Sequence, residues 1–244
     1  MGYIFIIWHA VILINKQGSS LMNFIPAKEL KESFDVYGHF YNLRLSNSIF
    51  KCRSILEIKR KKTEDKIADI IVIMINPGSS APLNKLYAPL TYSPKQYFKL
   101  KQKEVIATKP DNAQYQIMRL MEKNKWNFVR IINLSDLRNG NSNKFKSEFK
   151  NAAEIDQNHP HCITHEERKK ELFTAINSKS NKVIAAWGNI AELHDSANKL
   201  LRMNLEIIGL RKAHKHEYRY ASPYLKKQKI EWLTEIQKQI EKSD

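Results

Sequence analysis

The chain has 244 residues, room for one large domain or two small ones, and its 42% hydrophobic content is enough for a packed core. It carries 41 Lys and Arg against 25 Asp and Glu, a formal net charge of +16. That excess suits a polyanion, nucleic acid first and an anionic membrane surface second, with Lys-rich coding bias and no partner as the remaining reading. Two cysteines, Cys52 and Cys162, exclude a disulfide framework and fit a reducing cytoplasm.

Residues 3–14, Y-I-F-I-I-W-H-A-V-I-L-I, form an apolar run too short to span a bilayer and without the features of a signal peptide. They are expected to be a buried strand or an extension from an upstream start codon. Gln17 to Ser20 reads as a linker, and 26–37 as a short helix opened by Pro26. Residues 1–38 are taken as an N-terminal extension and 39–244 as one α/β domain.

From His39 to Lys59, F-Y-N-L-R-L and S-I-L-E-I suggest two strands of a hairpin or meander. Lys59 to Lys62 is a basic turn, read equally as a solvated loop or a phosphate contact. Ile70 to Ile75 is an unbroken apolar run of the kind buried on both faces of a sheet. It stops at Asn76-Pro77-Gly78, where proline cannot donate to a ladder and glycine tolerates positive φ. Residues 82–110 read as a long loop with one short helix.

Asn112 to Lys123 reads as a helix with Ile117, Leu120 and Met121 on one face, and Phe128 to Leu134 as a second buried strand ending in S-D-L-R-N-G. After a polar stretch, Thr164 to Glu167 has capping-box spacing and opens a helix to about Asn177. Lys182 to Gly188 is a third strand, Ile190 to Leu201 a helix, Leu205 to Leu210 a fourth strand, and Lys227 to Ile240 a closing amphipathic helix. No internal repeat is visible. The alternation predicts a three-layer α/β/α fold with a mostly parallel central sheet. Its carboxyl edge should collect Asn76 to Ser80, Asn133 to Arg138, Trp187 to Asn189 and Tyr220 to Tyr224, where ligands bind in such folds.

Four segments in this order resemble the uracil-DNA glycosylase superfamily: I-N-P-G-S-S at 75–80, I-I-N-L at 131–134, V-I-A-A-W-G-N-I-A at 183–191 and A-S-P-Y at 221–224. The first is similar to the mismatch-specific uracil/thymine branch, which carries asparagine where the main branch carries aspartate. The chain also resembles a bacterial domain family of uncharacterised function with a related strand-plus-N-P signature. The main branch opens its final motif with a histidine that stabilises the departing base. Tyr220 or Ala221 stands there, with His214 and His216 nearby as substitutes.

The resemblance implies a DNA glycosylase that flips a pyrimidine out of the duplex and leaves an abasic site. Asn76 would orient the attacking water through its carbonyl oxygen, its alternative role being to cap the loop. Backbone amides at Gly78, Ser79 and Ser80 would hold an oxyanion or phosphate. Asn133 offers the donor and acceptor needed to read a base edge, or stabilises the turn. Asp136 would accept from an exocyclic amine, or pair with Arg138 or cap a helix. Tyr97 and Phe98 are candidates for base stacking or core. Trp187 reads as core. DNA contacts are expected from Arg138, Lys212, His214, His216, Arg219, Ser222 and Tyr224.

In the main branch a tyrosine after the motif's proline blocks pyrimidine C5. Gly78 stands there, so a 5-modified pyrimidine is the expected substrate, including a bulky modified cytosine of viral DNA, with a defence role following. The alternatives are a non-catalytic nucleic-acid-binding module with this fold, or a nucleotide or nucleoside enzyme, which would have no need of such charge. H-P-H-C-I-T-H at 159–165 holds four zinc-ligand residues, three histidines and a cysteine, at cramped spacing without a completing element. No metal and no cofactor is expected, and the chain is read as a cytoplasmic monomer acting on double- or single-stranded DNA, with no membrane partner.

Overall fold

The computed structural model describes residues 24–243. The apolar run at 3–14 and the linker at 17–20 lie outside them. The first element is α1 (Ala27–Ser33). The helix expected to reach residue 37 stops at Ser33, because Phe34 and Val36 begin an inward-facing alternation. That alternation belongs to β1 (Phe34–Leu45), which pairs antiparallel with β2 (Ser48–Arg60) across a tight turn. Then comes β3 (Ile70–Met74), buried at every residue as its composition predicts.

The expected loop at 82–110 contains β4 (Ala81–Pro82) at its start, then β5 (Thr91–Tyr92), α2 (Pro94–Phe98) and β6 (Ile106–Lys109). It is followed by α3 (Asn112–Asn124), β7 (Phe128–Asn133), α4 (Ser142–Ile155), α5 (Lys169–Ala175), β8 (Lys182–Ala186), α6 (His194–Leu201), β9 (Glu206–Ile208) and α7 (Lys226–Ser243). α4 lies in the stretch read only as polar. Its signal is present but thin: Asn141 caps it through hydrogen bonds from Asn143 and Lys144, and only Phe145, Phe149 and Ala152 are buried. The cap before α5 also differs from expectation. His165 rather than Thr164 accepts from the Glu167 N–H, while Thr164 donates to Ser196.

The strands form one sheet in the order β4-β6-β1-β2-β7-β3-β8-β9, with β5 beside β1. β7, β3, β8 and β9 run parallel, but the longest registers, β1 with β2 and β2 with β7, are antiparallel. The sheet is therefore mixed rather than mostly parallel. Strands joined by a tight turn can pair only antiparallel, and only the connections among β3, β7, β8 and β9 carry crossover helices.

Both faces are covered. Ile71 and Ile73 of β3 point to a core shared with Phe145 and Phe149 of α4, Leu172 of α5 and Leu200 of α6. Ile70, Val72 and Met74 point to a core shared with Leu30 of α1, Ile117 and Leu120 of α3, and Trp232 and Ile236 of α7. Each such buried side chain contributes about 1.5–3 kcal/mol. Among the described residues no helix is long and apolar enough to cross a membrane.

Candidate functional site

The carboxyl edge of the parallel strands gathers the loops the sequence singled out. After β3 the chain turns at Gly78, which takes φ +63. A methyl group there would lie 2.8 Å from Asp111 Oδ2, so glycine is required by both conformation and space. Gly140, in the loop after β7, packs against Ser79. Gly78, Ser79, Asp111, Gly140, Tyr220, Ser222, Tyr224 and Lys229 line one hollow of about 320 Å³. The segment from Tyr220 to Tyr224 is tied down by Gln116, which donates to the carbonyls of Ala221 and Lys229. Near the end of β9, Gly209 allows Tyr218 to pack where any side chain would collide with its ring.

Asn76 clamps two of these loops together. Its Nδ2 donates to Asn139 O at 2.7 Å and Leu137 O at 3.3 Å. Both amide hydrogens are thereby used, which sets the flip of the group and leaves Oδ1 as its acceptor. Asn133 continues the row of Val129 and Ile131 on the α3 face of β7. It is fully buried, and neither its Oδ1 nor its Nδ2 makes a hydrogen bond within the protein. Ser80 is buried and its Oγ reaches only to Lys109 O, at 3.5 Å.

Two residues the sequence reading passed over complete the electrostatics. The β1–β2 register slips between His39 and Phe40 and brings Arg53 to the face of Gly38, Phe40 and Thr108. Arg53 is 1% exposed, and its Nε and Nη1 have no hydrogen-bond partner. Burial lowers its guanidinium to about 10, against the charge of Asp111. Asp111 caps α3, accepting from the N–H groups of Ala113 and Gln114. Burial raises its carboxyl, opposed by Arg53 and those two bonds. Burial, and next the Asp111 charge, also raises the Tyr220 phenol. The D-x-x-Q spacing of Asp111 and Gln114 is a legible cap signal. Arg53 carried none, lying one residue ahead of the strand as expected from S-I-L-E-I.

Asp136 sits elsewhere. It is fully buried on the α4–α6 face, 2.8 Å from Arg168 and accepting from Tyr41 Oη at 2.7 Å. Burial pushes its carboxyl up, and Arg168 opposes this. Arg168 also pairs with Glu171 at 2.6 Å, and Lys103 pairs with the same carboxylate. Burial acts to raise Glu171, but Arg168 and then Lys103 hold it down to about 2. Tyr97 belongs to this network: it is 2% exposed, stacks on Tyr41 at 4.3 Å and bonds to Arg168 and Glu171. Phe98 stacks on His165 at 4.8 Å. These two aromatic residues line a separate cleft of about 660 Å³ with Lys99, Lys101, Arg130 and Lys170, away from the strand-end hollow.

Of the expected DNA contacts, Ser222 and Tyr224 line the strand-end hollow, Tyr224 almost wholly exposed and Ser222 Oγ buried without a partner. Arg138 lies over the Phe40 ring at 5.0 Å. Arg219 pairs with Glu231 at 2.6 Å. Lys212 and His214 are exposed, and His216 is half-buried beside His194. The basic turn at 59–62 lies at the other end of β7: Lys59 sits over Phe128, and Arg60 pairs with Glu122. A hollow of about 1040 Å³ is also at the amino edge, lined by Lys169, Phe173, Asn181 and Asn204. Trp187 is core, as read, with its Nε1 donating to His216 O. Both cysteines are buried and free.

No family model and no curated protein sequence matches this chain. Among solved structures it is similar to the acylaminoacyl peptidase of Pyrococcus horikoshii, with 12% identity and a TM-score of 0.31 over 73% of this chain and 23% of that one. The chain thus spans about a quarter of that protein's length, and a likeness at this level carries no inference about fold or activity.

Proposed function

We propose that the chain is a DNA glycosylase acting at the strand-end hollow on a modified or mismatched pyrimidine. The observation that carries this reading is the convergence of Gly78–Ser79, Gly140 and Tyr220–Tyr224 around one small hollow. Behind its lining, on the same edge and face, lie two buried polar groups, Asn133 and Arg53, whose hydrogen-bonding capacity is unmet within the protein. A flipped base presents a planar edge of donors and acceptors, and such groups are what it would complete. Asn76, with its nitrogen engaged and its oxygen left over, suits orientation of a water. The net charge of +16 suits the phosphate backbone.

Two expectations change in detail. The space beside Gly78 is not open, because the Asp111 carboxylate stands against it. Asp111, rather than Asp136, is therefore the acid placed to accept from an exocyclic amine, which favours a cytosine-type base over uracil.

Abasic-site formation in oligonucleotides carrying uracil, thymine mismatches, 5-hydroxymethylcytosine or glucosylated cytosine tests this. Asn76→Ala should lower excision by ~10²–10³. It should cost about 1–2 kcal/mol in stability for its two loop hydrogen bonds, and leave DNA affinity nearly unchanged. The association constant should fall steeply with salt, with a slope near −0.9 per phosphate neutralised. Salt-sensitive binding with no abasic sites on any substrate would instead favour a non-catalytic nucleic-acid module. The feature in its favour is Tyr220 in place of the final motif's histidine, with His214 and His216 absent from the lining of the hollow.

A further inference from the structure

A second cluster of chemistry-bearing side chains lies along the same edge, outside that hollow. After β8 the chain turns through Gly188 and Asn189 into α6, which begins at His194. The segment between β9 and α7 returns beside it, the Tyr218 N–H donating to Gly188 O at 3.3 Å. Trp187 Nε1 donates to His216 O at 2.7 Å and pins that backbone to the end of β8. The rings of His194 and His216 are thereby brought to a centroid separation of 3.9 Å. One ligand-type atom from each of His194, His216 and Glu217 lies within 4.8 Å of the others.

Three observations set this cluster apart from a chance meeting of side chains. His216 Nε2 is buried and makes no hydrogen bond within the protein. Glu217 is 5% exposed, and its carboxylate faces the two imidazoles. Asn189 Oδ1 lies 3.1 Å from His194 Nε2, the kind of second partner that orients a ligating imidazole.

We propose that His194, His216 and Glu217 bind one divalent transition-metal ion of the zinc class. Two imidazoles and a carboxylate suit such an ion, whereas Ca²⁺ and Mg²⁺ take oxygen ligands throughout. Three protein ligands leave a position for water. The ion joins the start of α6 to the segment that leads into Tyr220, and so braces one wall of the strand-end hollow. The site owes nothing to the glycosylase reading. It also differs from the 159–165 run. There His161 Nδ1 is engaged by Ser135 and Cys162, and His165 Nδ1 by the Glu167 N–H.

The test is metal binding by the full chain without a polyhistidine tag, stripped by chelator. Zn²⁺ is added in a calorimeter and Co²⁺ is followed by its visible absorption. One ion per chain, cobalt ligand-field bands and a raised Tm on zinc addition are expected. His194→Ala and Glu217→Gln should each weaken binding at least about tenfold, since even outer-shell changes cost about 10–100-fold. His165→Ala should leave it unchanged. His194 is half-exposed, so His194→Ala tests the site with little risk to the fold, which circular dichroism of the metal-free variant verifies. Failure of the unaltered chain to bind zinc or cobalt at one ion per chain overturns the proposal. So does unchanged affinity in both His194→Ala and Glu217→Gln.

Discussion

On the α4–α6 face, Asp136, Arg168, Glu171 and Lys103 form a buried chain of opposite charges, with the hydroxyls of Tyr41 and Tyr97 bonded into it. Within the network itself one atom, Asp136 Oδ1, is left without a partner, and on the same face His161 Nε2 is also unmet. On the α3 face, Arg53 has two nitrogens without partners, Asn133 has neither amide atom satisfied, and Ser222 Oγ is also unmet. Both clusters centre on buried charges, Asp136 and Arg168 in one and Arg53 in the other, so the difference lies in completeness rather than burial. A network that closes on itself holds architecture together, because each charge offsets the desolvation of its neighbour. One that does not close is maintained at a cost, and a ligand that supplies the missing partners gains what the protein alone forgoes.

If the comparison is right, the closed network should be the fragile one. Arg168→Met leaves Asp136 and Glu171 buried without their shared cation and should cost about 3–5 kcal/mol, read from urea unfolding. A loss below about 1 kcal/mol would mean the network is not what holds α5 to the sheet. Acid should sharpen the same contrast. Burial, and then Lys103, lowers His39 to about 4; burial, and then His159, lowers His161 to about 3. Both belong to the α4–α6 face, and both stay neutral in the folded state where the unfolded chain takes up protons. Stability is therefore full above pH 6.5 and falls by about 1.4 kcal/mol per pH unit for each histidine as pH drops toward those values. Glu171, held at about 2, adds its own loss as pH falls below its ordinary value near 4.5. A midpoint of thermal unfolding flat between pH 6.5 and 4.5 would break this account.

The smallest change in stability is expected on the other face. Arg53→Met and Asn133→Leu replace unmatched polar groups by apolar ones of similar size, and each should leave stability within about 1 kcal/mol of the parent. Excision or DNA binding should nevertheless fall in both. A destabilisation comparable to that of Arg168→Met would show that the α3-face cluster is as structural as its counterpart.

Local pattern alone carried a good deal of the fold. The apolar run of β3, its stop at Asn76-Pro77-Gly78, the period of α3 and α7 and the alternation of strands and helices are short-range features. They place the strand-end loops on one edge once crossovers are right-handed. What lay beyond reach were properties set by partners distant in the chain. β2 runs antiparallel to β7 because of where the hairpin docks, which no window of sequence contains. Asp136 looked like a site residue as part of a polar loop, and only packing reveals Arg168 and Tyr41 waiting for it. Arg53 lies one residue ahead of the strand expected from S-I-L-E-I, and only the register slip at His39 brings it to the α3 face. Hydrophobic period and turn chemistry are written residue by residue, whereas the cost of a buried charge depends on what the fold brings within about 4 Å of it.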